Sequence, residues 1–151
     1  MLSAREARKH LRCGALGVVV ARQVVVGAAI VRDGRVLAAR RTAPASAAGR
    51  WEFPGGKVEP GETEADSLVR EVEEELGVQI RVARWLEGAE EIGERYVLRV
   101  AVASLDGGEP VPTEHDEVRW LAVEQLLDVD WLDADRPFLP ALSDLLPRLD
   151  G

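Results

Sequence analysis

The chain holds one cysteine, one tyrosine, one methionine and two histidines in 151 residues. The lone Cys13 excludes an intrachain disulfide and any metal site that needs two thiols, and this usage fits a reducing cytoplasm. Long apolar runs are missing as well. The stretch Cys13–Ala21 follows a basic segment, but it is too short to span a bilayer and runs into Arg22-Gln23 without a small-x-small cleavage pattern. Neither a membrane partner nor a signal peptide is expected. Basic residues are outnumbered, 19 against 27 acidic, for a net charge of −8. A nucleic-acid polymer calls for a basic stripe, so that partner is excluded. A small nucleotide is not, because a few divalent cations reverse the field locally.

What is present is ordinary for a single globular domain: 46% hydrophobic and 30% charged residues, in a length able to bury a real core. Residues 1–21 read as a poorly ordered extension and residues 22–151 as the folded domain. Val24–Val31 and Val36–Ala39 flank Asp33-Gly34, a two-residue hairpin signal. Trp51–Phe53 reads as a short strand leading into Gly55-Gly56, where two glycines suggest a backbone conformation that other residues adopt at a cost. A helix over Glu64–Leu76 should stop at Gly77 in a left-handed cap. Val78–Trp85 is expected to pair with Arg95–Ser104. Glu117–Leu121 is a further strand, Val123–Leu127 a helical turn and Asp135–Leu149 a closing helix. Strands on both sides of one helix, with a second helix at the end, give an α/β fold with a mixed sheet.

The central helix carries the most information. Ala65, Leu68, Val69, Val72 and Leu76 form an apolar stripe, while Glu71, Glu74 and Glu75 stand at i, i+3 and i+4 on another face. A surface helix normally intersperses lysines to relieve such repulsion, yet Arg70 is the only basic residue here. Three converging carboxylates, all oxygen donors, suit Mg²⁺ or Mn²⁺ rather than zinc.

The spacing Gly56, Glu62, Arg70-Glu71-Val72, Glu74-Glu75, Gly77-Val78 resembles the Nudix box at every defined position. The resemblance implies an α/β/α sandwich in which the box forms a loop–helix–loop. It also implies a hydrolase that cleaves a nucleoside diphosphate linked to another moiety, with Mg²⁺ (or Mn²⁺) held by Glu71, Glu74, Glu75 and the carbonyl of Gly55. Arg70 would then pair with a box carboxylate. Glu59 and Glu62, in the preceding loop, are within reach of the metal or its water. For the general base, a box glutamate or Glu117 on a distant loop are candidates, the latter otherwise an exposed acid at a strand start.

Gly49-Arg50-Trp51-Glu52-Phe53-Pro54-Gly55-Gly56-Lys57 and the upstream Arg40-Arg41 look like the MutT-type nucleoside triphosphate pyrophosphohydrolases. By that resemblance Arg41 contacts nucleotide phosphate, and Lys57 is a second candidate. Asp133-Ala134-Asp135-Arg136-Pro137 is similar to the segment where such proteins place a base-reading Asn or Asp. Asp135 therefore has two compatible readings, a helix N-cap and a base reader. An aspartate in place of the usual asparagine tilts the expected base toward cytosine, or toward both cytosine and oxidised guanine. Trp51, Trp85, Trp120 and Trp131 read as core or rim aromatics, with Trp131, beside Asp133 and Asp135, the one to test for base stacking; Tyr96 and Leu98 are either pocket lining or core. His115 reads as an exposed loop histidine. Other readings remain: hydrolysis of another nucleoside diphosphate derivative, or a non-hydrolytic sensor, although sensors usually lose box glutamates.

Overall fold

The computed structural model describes residues 21–149. The N-terminal extension lies outside the described residues but for its last position. Eight strands form one mixed sheet: β1 Gln23–Arg32, β2 Arg35–Arg41, β3 Trp51–Glu52, β4 Gly55–Lys57, β5 Ile80–Trp85, β6 Glu90–Ile92, β7 Tyr96–Leu105 and β8 His115–Ala122. Two helices, α1 Glu64–Leu76 and α2 Leu139–Leu145, complete the domain with short 3₁₀ turns.

The central pair, β1 and β7, is parallel, with Gln23–Ile30 running beside Tyr96–Ala103. Both strands are covered on both faces, which is why their sequences are near-continuous small and branched apolar residues. The alternation of a strand sorts them. Val24, Val26, Ala28 and Ile30 meet Leu68, Val72 and Leu76 of α1. Ala29, Leu98, Val100 and Val102 meet Phe138, Leu139, Leu142 and Leu146 around α2. The α/β/α sandwich is therefore two cores on one sheet.

Local chemistry sets the elements. The β1–β2 turn has positive φ at both Asp33 and Gly34, as a two-residue hairpin of this twist requires. Thr63 caps α1 through Oγ1, which accepts from the Asp66 amide at 3.0 Å, and Gly77 ends it with φ 69°. The closing helix is shorter than expected: Pro137, Pro140 and Pro147 divide it into a 3₁₀ turn, α2 and a second turn. Asp135 precedes the first turn without any side-chain capping hydrogen bond, so its N-cap reading is corrected.

Strand β6, absent from the sequence reading, folds back onto the start of β7. A buried ion pair was also missed. Arg99 donates to Glu64 at 2.7 Å and lies 4.8 Å over the Trp85 ring, tying β7 to the first turn of α1.

One feature of the sheet builds a cleft. The edge of β1 away from β7 is shared: Val31 and Arg32 pair with β2, while Val25–Gly27 pair with β4. Between those contacts β2 and β4 diverge, joined only through β3 and Phe53-Pro54. The Pro54 carbonyl accepts from the Ala28 amide at 2.8 Å and seals the inner end.

Gly55 and Gly56 are required here for space, and neither has the positive φ that the sequence had suggested. A Cβ on Gly55 would collide with the Val26 carbonyl and crowd the Gly27 Cα; one on Gly56 would meet only the Glu71 carboxyl group. The two alanine variants should therefore differ. Gly55→Ala strikes backbone and is expected to destabilise the fold by about 3 kcal/mol or more. Gly56→Ala strikes the movable end of one side chain and should unfold within a few degrees of the wild type. Thermal melts of the two variants check this contrast.

Candidate active site

The glycine pair lets α1 lie close against β4, and this approach gathers the carboxylates. Glu75 is 7% exposed, and its Oε1 accepts from the Gly55 amide at 3.3 Å. Glu71 packs against Gly56. Glu74 is more exposed and shares Arg70 with Glu71, each with an oxygen 3.3 Å from Nη1. Arg70 is itself held from behind. Glu62 accepts from its Nε at 2.7 Å and its Nη2 at 2.9 Å, and also from Ser67 Oγ at 2.6 Å and the Glu59 amide at 3.1 Å. These bonds lower the Glu62 carboxyl to about 2. Glu62 is thus fully engaged in positioning Arg70.

The opposite happens to Glu75. Burial, then repulsion from Glu52, Glu71 and Glu114, pushes its carboxyl up to about 8, with the Gly55 amide pulling weakly the other way. Glu71 is raised by burial and by Glu74 and Glu114, against the attraction of Arg70. Two of these acids, Glu52 and Glu114, stand outside the box.

Glu52, Glu75, Glu114, Thr113 and His115 line a recess of about 410 Å³ with Arg41. Thr113 fastens the approaching loop to the end of α1, its amide and Oγ1 both donating to the Glu75 carbonyl at 3.0 Å. Among the described residues, no three side chains converge at ligation distance for a metal. The donor set nevertheless fits a hard divalent cation: carboxylates and a backbone carbonyl, no sulfur, and like charges crowded enough to raise two pKa values.

Beyond Arg41 and Glu52 opens a second and larger cleft of about 580 Å³, where β2 and β4 diverge. Val25, Phe53, Leu98, Leu132 and Ala134 make its apolar walls, and Asp135 lies at its side. Asp135 is 3% exposed; burial raises its carboxyl well above the usual range, Glu52 adds to this, and Arg41, the Phe53 amide and Arg50 oppose it. Arg50 pins the wall: it donates to the Trp131 carbonyl at 2.6 Å and to Asp133 at 2.9 Å.

Arg41 and Glu52 border both chambers. Nη1 of Arg41 reaches both Glu52 oxygens, at 3.0 and 3.1 Å, and Nε donates to the Ala43 carbonyl at 2.9 Å. Lys57 lines the larger cleft, with Nζ 4.8 Å over the Tyr96 ring. Leu98 is both core and cleft wall, since it is buried yet faces the opening.

Two residues sit elsewhere than the sequence suggested, and one core reading holds. Glu117 lies within β8, bonded to Arg119 at 2.7 Å and 3.5 Å from Arg40, and lines neither chamber. The loop acid that does is Glu114, three residues earlier. Trp131 is fully buried, stacked at 4.8 Å on Phe53 with Nε1 donating to the Leu126 carbonyl, and is core. His115 is buried rather than exposed. Nothing in the sequence marked Glu52 or Glu114, because their role depends on β2 and β8 being neighbours.

The raised carboxyls carry a sign. Between the ordinary 4.5 and about 8 the folded protein binds a proton at Glu75 that the unfolded chain has released. Metal-free stability should therefore fall as pH rises through that window. Glu62 acts oppositely, contributing above 4.5 and losing its effect as pH falls toward about 2. Thermal melts from pH 5 to pH 8.5 in chelator should show the fall, and Glu75→Gln should flatten it. Saturating Mg²⁺ should raise Tm most at the alkaline end.

Comparison with known proteins agrees with this geometry. The Nudix domain family model matches residues 21–142. A Mycobacterium tuberculosis protein bearing the provisional name 8-oxo-dGTP diphosphatase 2 is 42% identical over 135 residues, 85% of this chain and 92% of that protein. The CTP pyrophosphohydrolase of Escherichia coli is 39% identical over 123 residues, 80% of this chain and 91% of that one. Among solved structures, the MutT Nudix hydrolase from Burkholderia pseudomallei superposes with a TM-score of 0.71 at 37% identity, covering 79% of this chain and 96% of its own. The chain belongs to the Nudix hydrolases of the MutT type, and it is a pyrophosphohydrolase.

Proposed function

We propose that the protein hydrolyses nucleoside or deoxynucleoside triphosphates to the monophosphate and pyrophosphate, with Mg²⁺ as cofactor, and so clears unwanted nucleotides from the pool. The observation that carries this reading is the pair of chambers meeting at Arg41 and Glu52. An apolar slot with one buried carboxyl suits a base, and the acidic recess beside it suits a metal-bound phosphate chain. The names of the relatives favour the same class, through 8-oxo-dGTP and CTP.

In this reading Glu71, Glu74, Glu75 and the Gly55 carbonyl hold the cation, which supplies charge neutralisation for the phosphates and for the leaving pyrophosphate. The protein's own groups do the rest. Arg70, braced by Glu62, fixes the rotamers of Glu71 and Glu74. Arg41 binds a phosphate oxygen, with Lys57 as the second cation at the cleft. For proton abstraction from the attacking water, Glu114 is better placed than Glu117, because it shares the recess with Glu75 and Glu52. Glu74→Gln and Glu75→Gln should each lower turnover by about 10²-fold or more at saturating Mg²⁺. Glu73→Gln, exposed and bonded only to Gln79, should be mild. Near wild-type turnover in both box variants would refute the metal assignment.

Asp135 is assigned to the base. A buried carboxyl kept neutral offers one O–H donor and one carbonyl acceptor, the same complement that an asparagine amide presents. It can then face a guanine oxygen as well as a cytosine amine, which favours substrates of both kinds. Asp135→Ala should lose about tenfold to a hundredfold in kcat/KM for the preferred base while poor substrates change little. Asp135→Asn, which presents the same donor and acceptor, should keep activity on both kinds of base. A panel of cytosine, guanine and 8-oxoguanine triphosphates measures both; a uniform loss across the panel would remove Asp135 from base reading.

A further inference from the structure

We propose that His115 is a positioning residue for phosphate binding, acting through Glu52 on Arg41. The inference rests on the reading of Arg41 as a phosphate ligand. His115 stands at the start of β8, opposite Arg41 in the β2–β8 ladder, just beyond a register irregularity between Arg40 and Arg41. Its Nε2 lies 2.8 Å from Glu52 Oε2. An ionised carboxylate only accepts, so Nε2 carries the proton and donates. Glu52 in turn takes Arg41 Nη1 on both oxygens.

The consequence falls on the guanidinium. With Nε bound to the Ala43 carbonyl and Nη1 to Glu52, the plane of Arg41 is fixed at both ends. Nη2 makes no hydrogen bond among the described residues, at a residue that borders both chambers. Its two N–H groups are what a phosphate chain crossing from the base cleft to the acidic recess would meet. A mobile arginine would have to be ordered by each incoming substrate, and a pre-fixed one spares that cost.

A purely structural account of His115 fits less well. Among the described residues its buried Nδ1 finds no hydrogen-bond partner. Burying an unsatisfied polar atom disfavours the fold, so an apolar residue would fill this position more stably. The ring is retained at a cost, and the bond that it does make is the one to Glu52. Glu52 also has a double duty. It opposes proton loss from Glu75 and Asp135 alike, while its oxygens accept from Arg41 and His115.

The test is a double-mutant cycle on a nucleoside triphosphate substrate with Mg²⁺. KM and kcat are measured for wild type, His115→Leu, Arg41→Ala and the double variant, beside Kd for a non-hydrolysable α,β-methylene analogue and Tm. His115→Leu should raise KM and Kd about tenfold, the scale of one charge-assisted hydrogen bond, with kcat changed much less and Tm held or raised. The double variant should be no worse than Arg41→Ala alone. His115→Gln, which keeps an N–H near the Nε2 position, should restore KM to within about threefold. Glu52→Gln should behave as His115→Leu does. Full additivity with Arg41→Ala, or wild-type KM and Kd in His115→Leu, overturns the relay. Wild-type KM in Arg41→Ala overturns the phosphate reading beneath it, and is a distinct result.

Discussion

The structure depends on holding like charges close together. Glu71, Glu74 and Glu75 are drawn toward β4 by the glycines at 55 and 56, with Glu52 and Glu114 brought up from β3 and the loop before β8. The only cation within α1 is Arg70, braced by Glu62, which accepts four hydrogen bonds, two of them from Arg70. Arg70 and, at Glu52, Arg41 do not balance these five carboxylates. Burial first, and then this repulsion, raises the Glu75 carboxyl to about 8. Stability is spent to keep a site electrostatically hungry for a divalent cation, a common relation between strain and function.

That cost is carried by two well-filled cores and by the sheet between them. The parallel β1–β7 pair is buried on both sides and anchors α1 through Leu68, Val72 and Leu76, all fully buried. The Glu64–Arg99 pair then fixes the start of α1 relative to β7. A helix anchored in this way cannot rotate to release its glutamates to solvent. The shared edge of β1 does the complementary work. It must serve β2 at one end and β4 at the other, and the gap so left becomes the larger cleft. Fold and site share a cause here.

Whatever depended on local chemistry was legible in the sequence. Asp33-Gly34 announced the hairpin, Gly77 marked the end of α1, and the branched apolar run Val24–Val31 announced β1. The box glutamates could be read as one face because helical spacing is local. What escaped was non-local. Glu52 and Glu114 lie 62 residues apart and meet Glu75 only because β3 and β8 both pair with β2. His115 reads as a loop histidine until the ladder places it against Arg41. The glycine at 55 was marked for a mistaken reason, since a dihedral need and a need for space look the same in sequence. Asp135 shows the converse error: an acid before Arg136-Pro137 matches a cap locally, and tertiary burial claims the side chain instead.

The distribution of charge explains how an acidic chain can take a polyanion. Three of its basic residues, Arg41, Arg50 and Lys57, border the larger cleft. Arg50 is consumed by the Asp130–Asp133 segment and Lys57 leans on Tyr96, so the wall is held rather than merely charged. That leaves Arg41 as the cation poised on the boundary, itself half-neutralised by Glu52. Such a site has little net attraction for a triphosphate in the absence of metal. Under the proposed function, substrate and cation arrive with compensating charge, each removing the repulsion that would keep the other out. Binding of the two is then thermodynamically coupled, and the coupling must be the same whichever binds first. An acidic protein gains selectivity from this arrangement, because a phosphate without its divalent partner meets mainly carboxylates.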